Sequence, residues 1–311
     1  MTTRAASGNR LAWPDVPAGV RTRIEGALGS VVVHAETQPG GFSPGLAARL
    51  RLADGRRVFA KAVGTDRNPH TPGMLRAEAD VVSRLPAGLA PRLLWTDDDG
   101  DWVTLIFEDI DGRTPHIPWT PDDWRRVHSG LAEQLRLRTP APITATPIAE
   151  LLADDCRGWR KLAADPKAAA KLDPWARHNV DRLAELESGW ADAAAGNTLL
   201  HLDTRADNLL LTESEVVVVD WAHAAVGAAW VDLIILLPSL HMQGGPDPAD
   251  VWRTSPLSRE VDPDATTAML AALTGFFLHA ATQPPPKNLG PVRAFQQAQG
   301  KAALAWLRTR L

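Results

Sequence analysis

Leu200-His201-Leu202-Asp203-Thr204-Arg205-Ala206-Asp207-Asn208, followed by Val216-Val217-Val218-Val219-Asp220-Trp221, is the stretch on which the reading of this chain turns. It sets a His-x-Asp pair, with an Asn five residues after the Asp, between short apolar strands. A strand of four valines then delivers a carboxylate twelve residues beyond that Asn. Phosphoryl transfer needs a group to orient and deprotonate the attacking hydroxyl, and cations to neutralise the phosphate oxygens. Asp203, at the head of the loop, suits the first task, and Asn208 and Asp220 offer oxygens for Mg²⁺. A lone His-x-Asp pair is more often a polar turn, and a strand-end carboxylate often caps the next helix. The spacing of all the parts together separates this segment from both.

Working outward toward the N-terminus, strand Arg57–Val63 alternates, so Phe59, Lys61 and Val63 share one face. On a helix at 72–85, Leu75, Glu78, Val82 and Leu85 fall in one apolar stripe. Glu78 is then a carboxylate in a packing face, costly unless paired, and Lys61 is its natural partner. A Lys held by a Glu can present its ammonium to nucleotide phosphates; the alternative is that both side chains snorkel to solvent. Gly40-Gly41-Phe42-Ser43-Pro44-Gly45 joins two strands, and such a turn lets backbone N–H groups approach phosphate oxygens. The P-loop spacing G-x-x-x-x-G-K-[ST] is missing, which excludes a Walker-type NTPase.

The surrounding pattern divides in two. A helix at 19–29 and strands Val31–Thr37, Leu46–Leu52, Arg57–Val63, Arg92–Thr96 and Trp102–Glu108 make a strand-rich N-lobe, 1–108, with Asp54-Gly55 as a hairpin turn. Helices at 121–138, 147–163, 166–195, 229–240, 264–281 and 291–309 enclose short strands at 198–201, 208–211 and 216–220 in a C-lobe, 109–311. The expected class is α+β, with a small antiparallel sheet lobe, a larger helical lobe and a ligand cleft at the junction Phe107–Gly112.

Composition narrows the function. The formal net charge is −4, which argues against a nucleic-acid partner. Cys156 is the sole cysteine, so no intrachain disulfide forms and a reducing cytoplasm fits. Met1–Pro14 lacks an apolar leader core. The apolar run Val216–Leu237 is interrupted by Asp220, His223 and Asp232, so it is not expected to span a membrane.

The order of glycine-rich turn, Lys61, Glu78, junction, His201/Asp203/Asn208 and Asp220 resembles the aminoglycoside phosphotransferase and choline kinase-like family, relatives of the protein kinases. The tract from Asp220-Trp221 to Trp230-Val231-Asp232-Leu233 also resembles it, there with a second acid that steadies the catalytic loop. The resemblance implies a protein-kinase-like fold, ATP and Mg²⁺ as cofactors, and a small-molecule hydroxyl as acceptor. It implies Asp203 as base, Asn208 and Asp220 as metal ligands, and Lys61, held by Glu78, on the α/β-phosphates. It further implies Phe59 on adenine, backbone hydrogen bonds to the base from Glu108–Ile110, and Ser43 in the glycine-rich turn over the phosphates. Arg205 stands where protein kinases place a phosphate-contacting Lys; a salt bridge is the competing role.

Two departures stand out. Leu202 occupies the position where the family usually has Gly, and D-F-G and A-P-E are absent, which argues against protein substrates. An aminoglycoside or related antibiotic is the first expectation for the acceptor, with a sugar, choline-like compound or other metabolite next. A catalytically silent nucleotide-binding module is a further alternative. Asp247, Asp250, Glu260, Asp262 and Asp264 could line an acidic acceptor pocket or belong to a solvated loop.

Overall fold

The computed structural model describes residues 9–311. The readings that begin at Met1, namely the leader-free Met1–Pro14 and the first bound of the N-lobe, therefore lie partly outside the described residues.

The sheet forms as expected. Strands β1 (Val32–Thr37), β2 (Leu46–Leu52), β3 (Arg57–Gly64), β4 (Leu93–Asp98) and β5 (Trp102–Glu108) are ordered β1-β2-β3-β5-β4, and each neighbouring pair is antiparallel. Alternation along β3 gives the sheet two different faces. Val58, Ala60 and Ala62 pack with Trp13 and with Val20, Ile24 and Leu28 of helix α1 (Ala18–Leu28). Phe59 and Lys61 stay half-buried on the opposite face, where helix α2 (Thr71–Arg84) lies with Leu75, Glu78 and Val82 buried.

Beyond Glu108 the chain is mostly helical. Helix α3 (Pro121–Leu137) starts on Thr120, whose side chain accepts from Asp123 N–H. Helices Val231–Met242, Pro263–Thr282 and Val292–Arg308 form the centre, and two short antiparallel ribbons lie beside them. The ribbons pair β6 (Thr198–Leu200) with β9 (Ala225–Gly227), and β7 (Leu209–Leu211) with β8 (Val216–Val218). The loop 201–208 leaves β6 and enters β7, and Asp220 follows β8.

Three expectations are corrected. The helix expected over 166–195 is four short pieces, Pro166–Ala169, Pro174–His178, Val180–Glu187 and Trp190–Ala193. Pro166 and Pro174 cannot continue a preceding helix but suit its first turn, where Asp165 and Asp173 cap the new segments. The helix expected over 147–163 is likewise broken, into Ile148–Leu151, a 3₁₀ turn and Gly158–Ala164. The acidic 247–264 stretch is not a plain loop, and its acids do not line the cleft. Asp247 caps the helix Pro248–Thr254, Asp262 caps Pro263–Thr282, and Asp250 pairs with Arg253 at 3.0 Å.

The helix Pro263–Thr282 is long and apolar enough to cross a membrane, with mean hydropathy 1.3 over its window, but 72% of that window is buried in the fold. It crosses Gly158–Ala164 at two glycines. A Cβ on Gly158 would sit 2.1 Å from the carbonyl of Gly275, so the close approach needs glycine there.

Candidate active site

The sheet face that carries Phe59 and Lys61 meets the ribbon that carries Asn208 and Asp220 at a cleft of about 560 Å³, reached also by Glu108 and Asp207. Lys61 is its organising cation. Its ammonium donates to both carboxylate oxygens of Glu78, each at 2.7 Å, and to Asp220 Oδ1 at 3.0 Å. Glu78 is 2% exposed. Burial pushes its carboxyl up, and Lys61 pulls the other way. For Lys61 itself, burial opposes the charge, but Asp220 and Glu78 outweigh it and hold the ammonium above its ordinary value. Asp220 is also disfavoured by burial, yet Lys61 leaves its carboxyl below the usual range. Its side chain remains 40% exposed, toward the cleft. The expected Lys61–Glu78 pair is thus formed, and it extends across the junction to Asp220.

Ala206, Asp207 and Asn208 at the end of loop 201–208 line the opposing wall, and Asp203 stands behind them, bonded to Asn208. Asn208, buried, donates its amide to Asp203 Oδ2 at 3.0 Å and to Asp203 O at 2.8 Å. Val219 N–H donates to Asn208 O at 3.0 Å, which brings the Asn beside the strand end that carries Asp220. Burial raises the Asp203 carboxyl to about 6, with Arg205 and His223 opposing. His201 is fully buried; its Nε2 pairs with Val219 O at 2.9 Å, and its Nδ1 accepts from Asp203 N at 3.3 Å. Burial lowers its pKa to about 4, so it is a neutral brace rather than an acid or base near neutrality.

A buried pair behind the loop fixes its shape. Asp232 accepts from His201 N at 3.0 Å and Leu202 N at 2.9 Å, and Arg138 Nη1 meets it at 3.1 Å. Asp232, expected as a second acid beside the loop, thus holds the loop's backbone N–H groups. Two non-glycine residues here carry left-handed backbone, Leu202 (φ 61°) and Asp220 (φ 70°). Leu202 therefore adopts, with a side chain, the conformation that a glycine takes freely.

Other expected residues are placed unevenly. Phe59 lines the cleft. Glu108 and Ile110 do too, and Ile110 N–H has no hydrogen-bond partner among the described residues, whereas Ile110 O accepts from Gly112 N at 2.9 Å and Arg49 Nη2 at 3.1 Å. Ser43 is not brought to the cleft; its hydroxyl accepts from Gly45 N at 3.4 Å and closes the turn. Arg205 is engaged by carboxylates, with Nη1 on Asp203 and Nε and Nη2 on Asp207 Oδ1 and Oδ2 at 3.1 and 2.9 Å. The salt-bridge role is the one this arrangement contains.

Arg138, Asp207 and Arg10 also shape the site, and the sequence reading passed over them. Asp207 sits inside the Asp203–Asn208 spacing, where an acid beside an Arg two residues away was a usable signal. Arg138 and Arg10 lie outside every motif.

The family model of the phosphotransferase enzyme family (APH) matches residues 43–269. No curated protein sequence matches the chain. Among solved structures it is similar to a fructosamine-3-kinase candidate from Thermobifida fusca, with 22% identity, 92% of this chain and 98% of that one covered, and TM-score 0.55. It is also similar to a choline/ethanolamine kinase family protein from Mesorhizobium loti (16%, 94% and 93%, TM-score 0.59). A third is an aminoglycoside phosphotransferase from Streptomyces rimosus solved with ADP and streptomycin (16%, 82% and 98%, TM-score 0.54). These likenesses show the kinase-like two-lobed fold. With a family match over most of its length and the Lys61–Glu78–Asp220 bridge facing the Asp203–Asn208 loop, this chain belongs to the phosphotransferase enzyme family.

Proposed function

We propose that the chain is a kinase that moves the γ-phosphoryl group of ATP to a hydroxyl of a small molecule. The observation that carries this is the single ammonium of Lys61 shared between Glu78 and Asp220, in one cleft with the Asn208 that holds Asp203. Lys61 then contacts the α/β-phosphates and Phe59 stacks on adenine, the two lying roughly 6.6–6.8 Å apart along one strand face. The backbone at Glu108 and Ile110 takes the base edge. We take the boundary between the nucleotide-binding lobe and the acceptor-binding lobe to fall after Glu108.

Asp203 accepts the acceptor's hydroxyl proton. A carboxyl near 6 is ionised at neutral pH yet basic enough for the task. Asn208 orients that carboxylate, and Arg205 acts on it as a positioning residue. Mg²⁺ fits the donor set: the Asp220 carboxylate opens to the cleft and Asn208 stands beside it, while no cluster of three or more His, Cys, Asp or Glu ligands exists among the described residues. Such a site suits a cation held by one or two protein oxygens plus phosphates and water. When bound, it supplies charge neutralisation at the phosphate oxygens. The retention of Lys61, Glu78, Asp203, Asn208 and Asp220 together argues against a silent nucleotide-binding module.

For the acceptor, aminoglycosides and related antibiotics come first, then sugars and choline-like compounds. ATP as donor suits the cytoplasm expected from the lone, buried Cys156. Labelled ATP with Mg²⁺ and a panel of aminoglycosides, peptide antibiotics, sugars and amino alcohols tests the reading. Transfer to one compound, lost in Asp203→Asn, supports it; a wild-type protein that fails to bind MgATP overturns it.

A further inference from the structure

Arg10 precedes every recognised motif, yet its side chain reaches into the cleft. The chain positions it firmly. Leu11 forms a parallel bridge to Leu46 and donates its N–H to Gly45 O at 3.0 Å, and Trp13 two residues on is buried against the sheet. This segment therefore runs along the end of the glycine-rich turn, and Arg10 is the residue just upstream of the anchor.

The guanidinium lies under that turn. Arg10 Nη2 donates to Gly40 O at 2.5 Å, while Nε is buried and has no hydrogen-bond partner. Among the described residues no carboxylate makes an ion pair with it, although the charges of Asp220 and Asp207 act on it across the cleft. Burial disfavours the charge, and those two acids offset only part of that. A part-buried cation with a buried, unspent Nε–H and no carboxylate partner among the described residues is expensive unless an anion fills the place. The turn itself is cut to fit it. A Cβ on Gly41 would fall 2.5 Å from Arg10 Nη2, and Gly41 has φ +80°. The glycine thus leaves room for the arginine as well as accommodating the turn.

We propose that Arg10 is a ligand of the nucleotide's phosphates, contributed by the segment before the first helix, so that the triphosphate is held by Lys61 from the sheet and by Arg10 from beneath the glycine-rich turn. The inference rests on the kinase reading above and extends it. It assigns to Arg10 the direct cationic contact that Arg205, occupied by Asp203 and Asp207, does not supply.

Calorimetry of adenosine, ADP and ATP with Mg²⁺ on wild type, Arg10→Gln and Arg10→Lys tests it. A charge-assisted contact to phosphate predicts ATP and ADP binding about 10- to 100-fold weaker in Arg10→Gln, with adenosine affinity unchanged and partial recovery in Arg10→Lys. Equal weakening for adenosine would mean that Arg10 only shapes the turn, and unchanged or tighter ATP binding would mean that it blocks the cleft or idles there. Either result overturns the proposal. If wild type binds no MgATP, the kinase reading fails instead, so the two failures are distinguishable.

Discussion

Leu202 holds a branched side chain on a left-handed backbone because its N–H must meet Asp232 Oδ1 at 2.9 Å. That conformation costs an L-residue about 1–2 kcal/mol, and the half-buried side chain recovers part of it by packing on the core. Two substitutions separate the terms. Leu202→Ala keeps the strain and loses the packing, whereas Leu202→Gly loses the packing and the strain together. Leu202→Gly should therefore be the more stable variant by about 1 kcal/mol in urea denaturation, the reverse of the usual order of Gly and Ala. The order Ala above Gly would show that the loop is unstrained at 202. One residue on, Asp203→Asn should leave MgATP affinity near wild type and lower turnover by about 10²–10⁴, the range of a positioned general base. With Asp203 as the proposed base and its pKa raised to about 6, turnover should fall tenfold per unit as pH drops below that value and level off above it. Arg205 opposes the upward push of burial on Asp203, so in Arg205→Ala the acid limb should move to higher pH. A limb that stays put would separate Arg205 from Asp203.

At the scale of elements, the helix Val231–Met242 carries the loop 201–208 through its first turn, where Asp232 receives two loop N–H groups. Arg138, at the end of α3, is 1% exposed and stacks 5.4 Å from the Trp221 ring, so the same ion pair reaches the residue after Asp220. Removing one partner of a buried pair leaves a charge without compensation, at about 3–5 kcal/mol. Asp232→Asn should lower unfolding free energy on that order and reduce turnover through misplacement of Asp203, with the loss visible in chemical denaturation at pH 7. A variant within 0.5 kcal/mol of wild type would mean that the loop keeps its shape without the carboxylate.

Across the whole molecule, the C-terminal segment ties down the strand-rich lobe. Asn68 Nδ2 donates to Lys287 O at 2.8 Å, Lys287 Nζ to Asp66 O at 2.6 Å, and Asn288 Nδ2 to Arg67 O at 2.7 Å. Phe295, on the helix Val292–Arg308, meets Phe42 of the glycine-rich turn edge-on at 5.1 Å, and Arg205 lies near both rings at 5.7 and 5.8 Å. The glycine-rich turn is thus fastened to the last helix and to the loop 201–208 at once. Aromatic pairs contribute about 0.5–1.5 kcal/mol beyond their burial. Phe295→Ala should therefore speed hydrogen exchange over 39–46 and weaken ATP binding several-fold while the helical centre keeps its protection. Unchanged exchange in the turn would show that it is held by Arg10 and its own hydrogen bonds alone.

Sequence alone determined what depends on local period and spacing. Alternation put Phe59 and Lys61 on one face, the helical stripe buried Glu78, and the two motifs fixed Asp203, Asn208 and Asp220 as a constellation, because these relations span few residues. It misjudged the pieces between 166 and 195, where prolines at first-turn positions restart helices that an apolar period runs straight through. It could not reach contacts whose partners lie far apart in the chain: Arg138 on Asp232 across 94 residues, Asn68 on Lys287 across 219, or Arg10 under Gly40. No local pattern encodes such pairs, since each becomes necessary only when folding buries one partner's charge or unspent donor beside the other. The sequence therefore named the groups of the candidate site, and the tertiary structure decided how they are held.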